Sequence, residues 1–268
     1  MNALAEAGAA LIGGVLRRSE ALAGGSLSQI ARIELTDGRD AIVKNGPAPR
    51  IEAAMLQAIA ASAAPAPAVL GVSDEVLVLE RLPAGGALHH AWPSLGTALA
   101  TLHQAKGERY GWPENYAFAS VEIENGWADD WPRFWAERRL LVHVAHLPPS
   151  LARRLEALAA DLPNRLPARP KPSLLHGDMW GGNVLVAENR VSGLIDPACI
   201  YGHGEVDLAM LTLFDGPSAA FYDAYGPLQP GHEERLAIYQ LWPALVHLRL
   251  FGSGYRGMVE RFLADAGV

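Results

Sequence analysis

The stretch Leu175-His176-Gly177-Asp178-Met179-Trp180-Gly181-Gly182-Asn183-Val184-Leu185, with Gly193-Leu194-Ile195-Asp196 downstream, decides how this chain is read. Asn183 follows Asp178 by five residues, and Asp196 follows Asn183 by thirteen. Between them lie two short apolar runs, Val184-Leu185-Val186 and Gly193-Leu194-Ile195. If these pair as a hairpin, Asn183 and Asp196 meet at its mouth, and Asp178 sits on the loop just before it. Taken singly, Asp178 and Asn183 are ordinary turn residues of a glycine-rich loop. Taken together, an Asp, an Asn and a second Asp fit phosphoryl transfer. One carboxylate takes or orients a hydroxyl proton, while an amide oxygen and the other carboxylate hold Mg²⁺ against phosphates. His176 is a poorer base than Asp178, which stands beside the metal ligands. Trp180, two residues after the aspartate, is the tryptophan expected to touch substrate. Trp112, Trp127, Trp131 and Trp135 read as core residues.

Working outward, a nucleotide-binding lysine is expected upstream. Asp37-Gly38 is a tight-turn signal between Ser28–Leu35 and Ala41-Ile42-Val43-Lys44, so these read as a hairpin with Lys44 at its end. Glu52 lies in the following helix, Arg50 to Ser62, and is placed to hold that ammonium toward the α/β-phosphates. Gly24-Gly25-Ser26 precedes the hairpin and can present backbone N–H groups to phosphate. It is not a Walker A loop, because no Gly-Lys-Ser/Thr follows. Glu80-Arg81-Leu82 closes the last strand of this half, where backbone groups at Glu80 and Leu82 can meet an adenine ring. Asp207 opens an apolar helix and reads as a cap or a brace for the loop.

The rest of the pattern gives an α+β chain in two lobes. An amphipathic helix opens it within Met1–Leu16, and Val69-Leu70-Gly71 and Glu75–Leu82 read as strands. Pro83-Ala84-Gly85-Gly86 reads as a linker. The division is therefore residues 1–82, a small β-rich nucleotide-binding lobe, and 83–268, a larger, mainly helical lobe carrying the catalytic loop, metal and substrate sites. Leu95–His103, Asp130–Leu147 and Ser150–Leu162 read as helices, the last ended by the proline-rich run from Pro163. Tyr110 to Asp130 reads as a long functional loop. A cleft between two lobes is a favoured ligand site.

Composition narrows the class. The chain has 268 residues, half of them hydrophobic, and a formal net charge of −7. That is a folded, acidic protein rather than a nucleic-acid binder. A single cysteine, Cys199, excludes an intrachain disulfide and suits a reducing cytoplasm. No apolar run reaches the roughly 18–20 residues of a membrane span. A monomer is expected.

Together these segments resemble the fructosamine kinase (ketosamine 3-kinase) family, within the aminoglycoside-phosphotransferase-like and protein-kinase-like group. Beyond the catalytic loop, Leu194-Ile195-Asp196-Pro197-Ala198-Cys199, Glu205-Val206-Asp207-Leu208-Ala209-Met210, Leu99–His103, Glu114-Asn115-Tyr116, Asn125-Gly126-Trp127 and Phe251-Gly252-Ser253-Gly254-Tyr255 carry the likeness. The resemblance implies a two-lobed protein-kinase-like fold and ATP-dependent phosphorylation of the sugar of a ketosamine, either a free glycated amine or a protein lysine. Asp178 would be the base, Asn183 and Asp196 the Mg²⁺ ligands, and Lys44 with Glu52 the phosphate-binding pair. Met179 departs from the usual leucine, and the glycine loop lacks the cysteine some members use for redox-linked pairing. An aminoglycoside or choline-type kinase would share the fold and the Asp178 chemistry. An inactive nucleotide-binding scaffold would be expected to lose one of Lys44, Asp178, Asn183 or Asp196, and all four are present.

Overall fold

A computed structural model of the chain describes residues 2–22 and 28–268. The first unit is a five-stranded antiparallel sheet between two helices. Its elements are α1 (Asn2–Leu11), β1 (Leu16–Leu22), β2 (Ile30–Leu35), β3 (Asp40–Lys44), α2 (Pro49–Ala61), β4 (Val69–Val72) and β5 (Leu77–Glu80). The strand order is β1-β2-β3-β5-β4. Successive side chains of a strand point to opposite faces, so each strand serves both sides. Ala41 and Val43 of β3 and Val76 and Val78 around the start of β5 pack with Leu4, Ala5 and Ala9 of α1. Leu77 and Leu79 pack with Ala53 and Leu56 of α2 on the other face. Lys44 falls on the α2 side by the same alternation, and that register brings it to Glu52.

The expected hairpin is present, but it is not the start of the sheet. Residues from Leu16, read as the end of the opening helix, form the edge strand β1 against β2. Its sequence, Leu-Arg-Arg-Ser-Glu-Ala-Leu, is mostly exposed and has no buried face to impose an alternation. The glycine loop Gly24-Gly25-Ser26 lies outside the described residues.

After β5 the chain becomes mainly helical. It runs through α3 (Trp92–Gln104), a hairpin of β6 (Tyr116–Phe118) and β7 (Val121–Ile123), α4 (Trp131–Trp135) and α5 (Pro149–Arg165). Strand β8 (Ser173–Leu175), hairpin β9 (Val184–Ala187) and β10 (Arg190–Leu194), and β11 (Ile200–Gly202) follow. Helices α6 (Glu205–Phe214), α7 (Ala219–Tyr225), α8 (His232–Phe251) and α9 (Arg256–Asp265) complete it. One large core joins this part, and Met55 and Ile59 of α2 belong to it. The second helix of the small sheet is therefore also a wall of the larger unit. The segment Pro83–Gly86 is irregular but pinned, since Gly86 N donates to Val186 O at 2.8 Å and Ser192 Oγ to Pro83 O at 2.6 Å. Among the described residues no helix is long and apolar enough to cross a membrane.

Three expectations for this half need correction. The helix read over Asp130–Leu147 is broken into α4, a π-helical turn at Ala136–Leu140 and a 3₁₀ stretch at Leu141–His146. The wider turn carries Arg139 inward. Its guanidinium lies between the Phe134 and Trp242 rings, 5.0 and 5.1 Å from their centroids, and donates to Glu124 O and Asn125 Oδ1. Helix α5 runs through Pro163 to Arg165. Trp127 is exposed rather than core, stacked on Tyr201.

His143, in the 3₁₀ stretch, is buried with neither ring nitrogen bonded. Burial first, then the positive Arg249, pulls its pKa down to about 3. The folded chain thus holds this imidazole neutral, while the unfolded chain protonates near 6.5. Its contribution to stability is complete above pH 6.5 and is lost as pH falls toward 3, at about 1.4 kcal/mol per pH unit. His143→Leu should flatten the unfolding free energy between pH 6 and 4 by about that slope, read from urea titrations. An unchanged slope would count against a buried neutral His143.

Candidate active site

The β9–β10 register sets the first part of the site. Leu194 pairs with Val184, so the flanking residues Asn183 and Ile195 adjoin, and Ile195 N donates to Asn183 O at 3.0 Å. The next residue, Asp196, has φ of 54°, a left-handed conformation that costs a non-glycine residue energy and is found at functional sites. Asn183 Nδ2 donates both to the Asp178 backbone oxygen at 2.8 Å and to its carboxylate at 2.9 Å. Its Oδ1 has no protein partner among the described residues.

Lys44 arrives from the small sheet. Its buried ammonium is 2.9 Å from Glu52 Oε1 and also contacts Asp196 Oδ1. Burial opposes charge on both members of the Lys44–Glu52 pair and pushes Glu52 up. For Lys44, the pull of Glu52 and Asp196 outweighs burial and raises its pKa, holding it charged. Asp178 is pushed up to about 7, chiefly by burial, with Asn183's hydrogen bond opposing and the charges of Asp196 and Asp207 adding to it. A carboxylate poised near neutral pH suits a general base.

The loop's backbone is held from beneath. Asp207, fully buried in the first turn of α6, accepts from His176 N at 2.7 Å and Gly177 N at 2.9 Å. His103 Nε2 is 3.0 Å from the same carboxylate, and His103 Nδ1 is 2.9 Å from Tyr225 Oη. Burial would push Asp207 up, but these donors outweigh it and hold the pKa below the ordinary value. His176 is itself a strut: Asp178 N donates to its Nδ1, and its Nε2 meets Ile195 O at 3.0 Å. Gly177 has φ of +80°, and a Cβ there would run into the Ala198 carbonyl. Asp215 accepts from Gly181 N at 2.7 Å.

Lys44, Glu52, Asp178, Trp180, Asn183 and Asp196 all line one cavity of about 490 Å³. Glu80 and Leu82 do not. The Glu80 carboxylate accepts from Ala68 N, and Leu82 is the side chain nearest Gly193 of β10. Sequence reading missed the far wall, which includes Tyr116, Phe118, Met210, Phe214, Trp242, His247, Phe251 and Tyr255. Only the family-like segments at Tyr116, Glu205–Met210 and Phe251–Tyr255 pointed there.

The fold is the two-lobed, protein-kinase-like one, a mixed α+β arrangement with the cavity between sheet and helices. The fructosamine kinase family model matches residues 15–266. A protein of Synechocystis sp. assigned as a ketoamine kinase is 38% identical over 229 residues, 79% of this chain and 76% of that protein. The ketosamine-3-kinase of Mus musculus is 36% identical over 217 residues, 68% of this chain and 69% of the mouse protein. A crystal structure of a Thermobifida fusca protein assigned as a fructosamine-3-kinase has a TM-score of 0.91 at 30% identity, covering 99% of each chain. The chain belongs to the fructosamine kinase family.

Removing the brace beneath the loop should be costly. Asp207→Ala leaves two buried backbone donors unpaired, each worth about 1–3 kcal/mol. The melting temperature and turnover should both fall, and Asp207→Asn, which keeps the shape, should fall less. Wild-type stability in Asp207→Ala would refute the role.

Proposed function

We propose that the protein is an ATP-dependent ketosamine kinase that transfers the γ-phosphoryl group to a sugar hydroxyl of a fructosamine or ribulosamine, through Asp178. The observation that carries this reading is the convergence of Asp178, Asn183, Asp196 and the Lys44–Glu52 pair on one cavity. Such transfer asks the protein mainly for positioning and charge stabilisation. Asp178 takes the proton from the acceptor hydroxyl as that hydroxyl's oxygen bonds to the γ-phosphorus, whose bond to the bridging oxygen breaks to release ADP. Lys44, held by Glu52, turns from Asp196 to the nucleotide's phosphates. The adenine ring would rest against backbone near Glu80 to Leu82, just beyond the residues that line the cavity.

The donor set beside Asp178 fits Mg²⁺. It is all oxygen, with the Asp196 carboxylate partly open to the cavity and Asn183 Oδ1 without a protein partner among the described residues. When bound, the ion would offset the negative charge of the phosphates. Asn183 and Asp196 would hold it.

Phosphorylating a ketosamine makes the sugar–amine adduct a substrate for breakdown, so the activity amounts to repair of glycation. The family match and the ketosamine-3-kinase relative favour this acceptor over an aminoglycoside or choline. An ATP-consumption screen of fructosamines, ribulosamines and aminoglycosides, with the phosphorylated carbon read by NMR, tests it. Turnover of aminoglycosides alone would overturn it.

Asp178→Ala should lower kcat by about 10²–10⁴-fold, the usual worth of a general base, while ATP binding stays within a few-fold. Normal turnover would sink the assignment. Asp196→Ala should abolish the Mg²⁺ dependence of nucleotide affinity in calorimetry. Affinity that still rises with Mg²⁺ would place the ion elsewhere.

A further inference from the structure

The carboxylates, the amide and Lys44 account for the nucleotide and the transferred group, but not for the aromatic wall of the cavity. There Trp180, Phe214, His247, Phe251 and Tyr255 form one run of rings. Trp180 lies 6.3 Å from Phe214, Phe214 5.1 Å from His247, and His247 5.0 Å from Tyr255, centroid to centroid. Phe251 adjoins both His247 and Tyr255, at 5.4 and 5.8 Å. Of nine exposed large apolar side chains among the described residues, Trp180, Phe214 and Phe251 stand here together. Exposed apolar surface gathered in one place marks a binding surface, and a hydroxyl-rich sugar alone does not require so much of it.

Besides the Trp180 indole N–H and the Tyr255 hydroxyl, the imidazole of His247 sets a polar edge in this wall. His247 Nδ1 is 2.7 Å from the Pro243 carbonyl oxygen. A carbonyl only accepts, so Nδ1 carries the proton and Nε2 presents a bare lone pair. That nitrogen has no protein partner among the described residues, and the ring lines the cavity. Burial pulls the His247 pKa below its ordinary value, which keeps the ring neutral at neutral pH. The cavity's carboxylates, Glu52, Asp178 and Asp196, are already engaged with Lys44 and Asn183. A cation entering the aromatic end therefore meets a neutral acceptor and ring faces rather than a counter-charge. That combination suits an ammonium with an N–H to give.

We propose that His247 is the amine-recognition residue of the acceptor site: its Nε2 accepts an N–H of the ketosamine's secondary ammonium, and the rings of Phe214, Phe251 and Tyr255 surround the same cation. This rests on the ketosamine reading and deepens it. It explains how a kinase of this fold tells a sugar carrying an amine from a plain sugar.

The test compares N-propyl fructosamine with its ether analogue, in which oxygen replaces the N–H, as acceptors for wild type, His247→Phe and His247→Gln. Phenylalanine keeps the ring and deletes the acceptor, while glutamine returns an acceptor near the Nε2 position. His247→Phe should lose about 10- to 100-fold in kcat/KM on the amine, mostly through KM, the size of a charge-assisted hydrogen bond. Turnover of the ether and the KM for ATP should stay within about twofold of wild type, and His247→Gln should recover most of the loss. An equal loss on amine and ether, or no loss on the amine, overturns the role of His247. Failure of the wild type to phosphorylate these compounds and their ribulose counterparts overturns the ketosamine reading itself.

Discussion

A lysine ammonium taken out of water is costly unless carboxylates surround it, and Lys44 meets two of them from different parts of the chain. Glu52 comes from the helix over its own sheet, and Asp196 from the loop after β10. The pairing is therefore more than a local contact. It fixes the register of β3, because a one-residue slip would turn Lys44 to the α1 face and strand both the ammonium and Glu52. It also sets how the small sheet faces the helical half, because Asp196 belongs to the latter. The same charge that organises the cavity is the one a nucleotide's phosphates would claim, so folding and binding draw on a single group.

Asp196 and Asp178 can meet Lys44 and Asn183 only if their loop backbone is rigid, and that rigidity comes from below. The Asp207 carboxylate gathers two consecutive backbone N–H groups and a histidine. His176 adds two further bonds within the loop. The left-handed backbone at Gly177 and Asp196 is thereby over-determined, which is the condition under which such strain persists. Burial that raises Asp178 toward neutrality is a consequence of the same closure, so the electrostatics of the candidate base follow from the packing beneath it.

The polar half of this site was legible in the sequence because its residues are unusual where they stand. An Asp just after a buried apolar strand and a Lys ending another have few structural reasons to be there. The hairpin at Val184–Leu194 and the helix at Arg50–Ser62 were legible from periodicity for the same reason: each has one face in a core. Where that condition fails, so did the reading. Strand β1 lies at a sheet edge with both faces largely in water, and its arginines gave no alternation. The Asp130–Leu147 segment has helical composition throughout. Its π-helical turn serves a tertiary need, bringing Arg139 between two rings, and nothing in the local sequence encodes that. Strand β11 is three residues long and exists only because β8 lies beside it.

The aromatic end of the cavity was illegible for a different reason. Phenylalanine, tyrosine and tryptophan at helical spacing mean core far more often than binding site, and only exposure separates the two. Phe214 ends α6, His247 and Phe251 lie near the end of α8, and Tyr255 follows the turn beyond it. Each sits at or near a helix terminus, where a side chain can leave the core without breaking it. The catalytic loop supplies the remaining ring, Trp180. The proposed acceptor surface is thus drawn mostly from helix ends around a rigid polar centre. Such positions can change without disturbing the residues that hold Asp178, so in the proposed mechanism acceptor preference and phosphoryl transfer would rest on separable sets of contacts. A shared transfer chemistry with diverging acceptors is what that arrangement would permit in other chains of the same fold.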